Sequence, residues 1–201
     1  MTETARTTPI VGSKAPGFEL QGYFKGEMKG FRLADYKGKW VYLLFYPLDF
    51  TFVCPTEVLS FSKAAPEFNV KNTQVLGVSV DSQFVHKAWV ETKKEEGGLG
   101  GSLNFPLLAD IKKEVARDYG VLADAGVALR GLFLIDPDGT IMHATVNNLP
   151  VGRSASEAIR TLKAFQFVAA NKGKVCPADW DESKEAMAAS PEGMRKYLSS
   201  H

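Results

Sequence analysis

Seven consecutive apolar or aromatic residues, WVYLLFY at 40–46, stop at Pro47. A run without polar alternation reads as a strand buried on both faces. After a loop at 47–52 the apolar period changes. Val58, Phe61 and Ala65 fall at helical spacing and predict a helix over 55–68. Pro55 suits its first turn, where a backbone N–H would lack a partner anyway. The β-branched run at 74–80 predicts a second strand, ended by Asp81 and Ser82. Residues 84–95 predict a helix with Val85, Ala88 and Trp89 on one face, and the glycine-rich stretch 97–101 must be a loop. A short helix is expected over 112–119, before Gly120. Strands at 132–135 and 141–146 flank Asp136, Pro137, Asp138 and Gly139, a strong hairpin turn. Ser154 with Glu157 three residues on is a capping box, opening a long helix to about Ala170.

Strand, helix, strand, helix, then a hairpin and a packing helix predict an α/β layer fold with a central mixed β-sheet. Residues 1–172 read as the main domain and the polar stretch 173–201 as a C-terminal arm ending in a short helix; residues 1–12 read as a loose arm. Composition changes this picture little. The 201 residues are 45% hydrophobic and 23% charged, ordinary for a globular chain. Twenty-four Lys and Arg balance 23 Asp and Glu for a net charge of +1, which argues for neither nucleic acid nor an anionic membrane as partner. No apolar run approaches membrane-spanning length, and the polar N-terminal stretch lacks the apolar core of a secretion signal. A cytoplasmic location is expected. Thiols stay reduced there, so the two cysteines read as reactive or buried rather than as a permanent staple.

Cys54 is the sharpest chemical feature, because it falls between the loop after a buried strand and the start of a helix. A thiolate at such a place faces unpaired N–H groups and the positive end of the helix dipole. Its surroundings are Phe45, Tyr46, Pro47, Leu48, Asp49, Phe50, Thr51, Phe52, Val53, Cys54, Pro55, Thr56 and Glu57. This stretch resembles the active-site segment of the peroxiredoxins, with its Pro-x-x-x-Thr-x-x-Cys pattern carried by Pro47, Thr51 and Cys54. The segments at 75–81, 97–100, 105–110, 129–136, 151–153 and 173–178 resemble the same family in order and spacing. The likeness runs from about Gly12 to the C-terminus, and is greatest to the typical two-cysteine subfamily that includes alkyl hydroperoxide reductase C.

The resemblance implies a thioredoxin-like fold and a thiol-dependent peroxidase acting on hydrogen peroxide and organic hydroperoxides. It makes Cys54 the attacking thiolate, Thr51 a hydroxyl for the peroxide, Pro47 a shield against water and Arg130 the permanent charge at the reacting centre. Glu57 and Arg153 match supporting positions, with Glu57 bridging arginines. The resemblance also makes Cys176 the resolving thiol, which captures the Cys54 sulfenic acid of a partner subunit as an intersubunit disulfide. It implies an external dithiol reductant, either thioredoxin or a flavoprotein disulfide reductase, and a homodimer assembling into a decamer. The Gly97 to Gly100 loop and the tail at 194–198, with Leu198 where the family has phenylalanine, imply intermediate sensitivity to over-oxidation. A holdase and a peroxide sensor remain as alternatives to a dedicated peroxidase. No cofactor is expected. His86, His143 and His201 do not cluster with either cysteine at metal-ligand spacing. No Cys-x-x-Cys is present. The glycine-rich loop lacks the Lys-Ser/Thr of a phosphate cradle.

Overall fold

A computed structural model describes residues 11–200. The expected N-terminal arm lies outside them, except for Val11 and Gly12, whose backbone is tied to the sheet through Gly12 N–H donating to Ile141 O. The chain enters with a hairpin, β1 (Glu19–Phe24) and β2 (Glu27–Arg32). Its two-residue turn, Lys25 and Gly26, has positive φ at both positions, as a tight hairpin demands. Then follow β3 (Trp40–Phe45), α1 (Cys54–Val70), β4 (Thr73–Ser79), α2 (Gln83–Glu91), β5 (Leu107–Ala109) and α3 (Glu114–Asp118). The chain ends with β6 (Arg130–Ile135), β7 (Ile141–Asn147), α4 (Ala155–Ala170), β8 (Lys174–Val175), β9 (Met187–Ala188) and α5 (Pro191–Ser200).

Seven strands form one mixed sheet in the order β2-β1-β5-β4-β3-β6-β7. β3 is an interior strand, parallel to β4 and antiparallel to β6. All six of its residues are buried, as a run without polar alternation requires. Val41, Leu43 and Phe45 join the core that includes Leu76, Val78, Phe133 and Ile135. Tyr42 points the other way, its ring edge-on to Phe68 of α1 at 5.6 Å. α1 packs on β4, and α2 on β1 and β5.

α1 is long because an internal proline is accommodated. Pro66 lacks the N–H that would bond to the carbonyl of residue 62. That carbonyl instead accepts from Asn104 Nδ2 at 2.8 Å, while Ser62 Oγ accepts from Asn104 N–H at 3.0 Å. α2 departs from expectation in two ways. It ends at Glu91, because Thr92 turns extended after its hydroxyl bonds Ala88 O at 2.7 Å. Its buried face is His86, Trp89 and Val90, whereas Val85 and Ala88 are exposed. α3 begins only at Glu114, since Lys113 is in the left-handed region at φ 60. Asp110 then caps the N–H groups of Val115 and Ala116.

The chain divides into two compact units, Met1–Ala155 and Ser156–His201. The first holds the seven-stranded sheet. The second holds nearly all of α4, the β8–β9 ladder and α5, where Gly193 lies so close to Ala188 that a Cβ would sit 2.5 Å from its carbonyl. No helix among the described residues is long and apolar enough to cross a membrane.

Candidate active site

β3 ends in a buried turn that delivers the chain to α1, and Cys54 is the first residue of that helix. Val53 precedes it with no side-chain cap, and Pro55 follows. The helix therefore begins with backbone positive charge not neutralised by a capping oxygen. Cys54 is fully buried, and its sulfur lies 3.5 Å from Arg130 Nη1.

Arg130 opens β6, paired across to Asn147 of β7. Its Nε donates to Leu149 O at 2.6 Å and its Nη1 to Glu57 Oε2 at 2.5 Å. Glu57, three residues beyond Cys54, sits one helical turn below it on the same face. Its other oxygen accepts from Arg153 Nε and from the Arg153 backbone N–H, both at 2.7 Å. Arg153 also donates to Gly131 O and to Glu57 Oε2. All three side chains are buried. Burial pushes the Glu57 carboxyl up, but the hydrogen bonds and charge of Arg153, with the charge of Arg130, carry it below its usual value. Burial holds the Arg153 guanidinium below its usual range, with Glu57 pulling it back. Two guanidinium ions against one carboxylate leave one positive charge in excess beside Cys54.

Glycines make this clustering possible. A Cβ on Gly152 would press on Glu57 Cγ and Val53 Cγ1, each at 3.2 Å, and one on Gly131 would lie 2.8 Å from Val121 Cγ1. Either would push on the carboxylate or on the strand that carries Arg130.

Pro47, Thr51, Val53, Cys54, Arg130 and Leu149 line a cavity of about 480 Å³. Thr51 Oγ1 donates to Leu48 O at 2.9 Å, which leaves its lone pairs as the acceptor it brings to the cavity. A second cavity of about 370 Å³ near Lys14, Tyr36 and Asp136 contains neither cysteine nor arginine. The structure thus brings Pro47, Thr51, Cys54, Glu57, Arg130 and Arg153 together. Cys176 lies in the second unit, where its sulfur approaches Ala164 O at 3.7 Å. Burial pushes that thiol up, offset in part by the charge of Arg160. Both cysteines are free thiols, and no cluster of metal-ligating side chains exists among the described residues.

Sequence reasoning missed what holds the loop before Cys54. Asp49 Oδ1 accepts from the Tyr46 hydroxyl at 2.8 Å, and Asp49 Oδ2 pairs with His86 Nδ1 at 2.7 Å. The Asp49 backbone N–H donates to Asp81 Oδ2 at 2.9 Å. Burial raises the Asp49 carboxyl, which His86 pulls back only in part. Phe50 adopts a left-handed φ of 52, and its ring packs 6.2 Å from that of Trp89. His86 lies 37 residues from Asp49, so no local pattern could have joined them.

Residues 11–144 match the AhpC/TSA family, and residues 164–200 match the C-terminal domain of 1-Cys peroxiredoxin. The chain is 54% identical over 193 residues to "Peroxiredoxin tpx1" of Schizosaccharomyces pombe, covering 95% of this chain and 98% of that one. It is 51% identical over 198 residues to "Thioredoxin-dependent peroxide reductase, mitochondrial" of Mus musculus, covering 98% of this chain and 76% of that one. Among solved structures, reduced 2-Cys peroxiredoxin of Plasmodium vivax superposes with a TM-score of 0.91 at 43% identity, covering 94% of this chain and 98% of that chain.

Proposed function

Because this chain belongs to the AhpC/TSA family of peroxiredoxins and is a thiol peroxidase, we propose that Cys54 is its peroxide-cleaving nucleophile and Cys176 its resolving thiol. The observation that carries the reading is Cys54 Sγ at a helix start, 3.5 Å from Arg130, in a cavity shared with Thr51 and Pro47. The thiolate attacks one peroxide oxygen, the S–O bond forms and the O–O bond breaks. The leaving alkoxide or hydroxide takes a proton from water. Thr51 accepts a hydrogen bond from the peroxide and Arg130 donates to the oxygen on which charge grows, so both favour the transition state over the free thiolate. Pro47, buried at the rim, keeps water from the sulfur. Glu57 and Arg153 hold Arg130 in register.

The resulting Cys54 sulfenic acid is then attacked by Cys176 of a partner subunit. An S–S bond forms, the S–O bond breaks and the oxygen departs as water. An external dithiol reduces the disulfide. The name of the mouse relative makes thioredoxin the reductant of that protein, and thioredoxin is the first candidate here, with a flavoprotein disulfide reductase second. Residues 1–172 carry the peroxide chemistry and 173–201 the resolving arm. The cytoplasm, where dithiol reductants are kept reduced, is the compartment that suits this cycle.

We further infer assembly of homodimers into a decamer. Phe52 is 93% exposed, Phe84 64% and Phe50 46%. Phe50 packs at a tilt against Trp89 of the same helix that carries Phe84. Exposed aromatic side chains on this scale suit a covered surface. Sedimentation of the reduced protein is expected to show a species well above dimer mass; a dimer alone at micromolar concentration would refute the decamer.

One experiment tests the assignment of the two cysteines. Mild peroxide is expected to convert the wild type to a covalent dimer on non-reducing gels. Cys54→Ser should abolish both that band and peroxide consumption. Cys176→Ser should abolish the band but leave the first turnover intact. A wild type that oxidises only to an internal monomeric bridge would remove the intersubunit mechanism. A holdase activity that survives in Cys54→Ser would add that function without displacing the peroxidase.

A further inference from the structure

Arg130 is aimed at the sulfur by two anchors, and they differ in kind. Glu57 holds Nη1, and the Leu149 carbonyl accepts from Nε at 2.6 Å. The second anchor fixes the tilt of the guanidinium plane. Bonded to Glu57 alone, the plane swings about that bond and carries its N–H groups away from Cys54 Sγ. Glu57 is buried on α1, whereas Leu149 lies on the segment 148–152 that follows β7. Arg153 closes the far end of that segment through its backbone N–H to Glu57 Oε1 at 2.7 Å. The middle is held more loosely. Pro150 is exposed, Val151 is 60% exposed, and the backbone bond across the turn, from Val151 N–H to Asn148 O, is long at 3.4 Å.

Asn147 closes the near end. It is the last residue of β7 and stands directly opposite Arg130, so the two side chains rise from one face of the sheet. Its Nδ2 donates to Val151 O at 3.1 Å, across the loop that carries the Leu149 carbonyl. We propose that Asn147 is a positioning residue for peroxide cleavage: its amide staples residues 147–151 and, through the Leu149 carbonyl, sets the orientation in which Arg130 meets the sulfur and the peroxide. The inference rests on Cys54 and Arg130 being the reacting pair. Asn147 does not line the cavity that holds Cys54, so its influence runs through Arg130.

The test uses the full-length reduced protein and stopped flow with excess hydrogen peroxide, which reports sulfenic acid formation. Asn147→Leu keeps the size of the side chain and removes the donor. It is expected to slow the reaction about three- to tenfold, the factor carried by one net neutral hydrogen bond. Its thermal melt should fall by no more than about 4 °C. Asn147→Gln keeps the amide on a longer stem and should recover part of the rate. The deciding measurement is a double-mutant cycle with Arg130→Lys, whose ammonium offers the Leu149 carbonyl no Nε–H. In that background Asn147→Leu should cost less than about twofold more. An asparagine that served the fold alone would slow both backgrounds by the same factor. A wild-type rate in Asn147→Leu overturns the proposal, and so does a double variant whose loss is the product of the two single losses. If Asn147→Leu fails to fold, Asn147→Ala takes its place in the same cycle. Arg130→Lys by itself is the separate control: a wild-type rate there refutes the reading of Arg130, whatever the Asn147 variants do.

Discussion

Replacing Arg130 with lysine is expected to slow oxidation of Cys54 by peroxide about 100- to 1,000-fold, the usual loss on removing one preorganised donor from a developing oxyanion. The charge survives the substitution, so the size of the loss measures geometry. Arg130 makes directed bonds from separate nitrogens: Nε to Leu149 O, and Nη1 to Glu57 Oε2 and Cys54 Sγ. The planar fork reaches the backbone, the carboxylate and the sulfur at once, and it cannot rotate without breaking one of them. A lysine ammonium on a shorter, flexible stem settles on the nearest carboxylate, Glu57, and leaves the sulfur side of the cavity without a donor. Second-order rate constants for sulfenic acid formation, measured by stopped flow with excess peroxide, check this. A loss below tenfold would mean that a point charge suffices, and that the fork serves only to hold the loop at Leu149.

The parts of this site that were legible in the sequence are those carried by contiguous chain. β3 announced itself because every one of its six residues is buried. The hairpin at 136–139 did so because Asp136 Oδ1 accepts from the N–H groups of Asp138 and Thr140 and Gly139 supplies a φ of 82. Hairpin β1–β2 was invisible for the opposite reason. Only Phe31 of β2 is buried, so no alternation survives, and its turn is Lys25-Gly26 rather than the expected Asn-Gly or Asp-Gly. β5 has only three residues, too few for a period. The apolar face of α2 was misassigned because a histidine occupies it. His86 is buried by its bond to Asp49, a partner that periodicity cannot supply, and Val85 is thereby turned outward. Among the site residues, Thr51, Cys54 and Glu57 share one stretch, whereas Arg130 and Arg153 lie 73 and 96 residues from Glu57. Only family likeness could bring those arginines to the cysteine in advance of a structure.

Glu57 is where stability and chemistry meet, and Glu57→Gln is expected to destabilise the protein by about 3–5 kcal/mol at neutral pH. The wild-type carboxylate neutralises one of two buried guanidinium ions and satisfies four donor contacts, three of them from Arg153 and Arg130 side chains and one from backbone N–H. The amide keeps the shape but removes the charge, and its NH₂ group turns a donor toward one of the arginines. Two cations then remain buried without a counterion, a cost far above that of any exposed ion pair in this chain. For a protein of this length the loss corresponds to a fall in melting temperature of roughly 6–20 °C, measured at matched protein concentration. The pH dependence has a definite sign. The folded Glu57 carboxyl lies below its usual value of 4.5, so the stability it contributes is fully present above that value and is lost as pH falls through the lower, folded one. Urea midpoints of wild type and Glu57→Gln should therefore differ most at pH 7 and converge on acidification below about 4.5. A gap that stays constant from pH 7 to the acid limit would show that the variant acts through packing or local distortion. Equal midpoints at pH 7 would show that the two arginines find other partners when the carboxylate is gone, and that the triad does not hold the sulfur's surroundings in place.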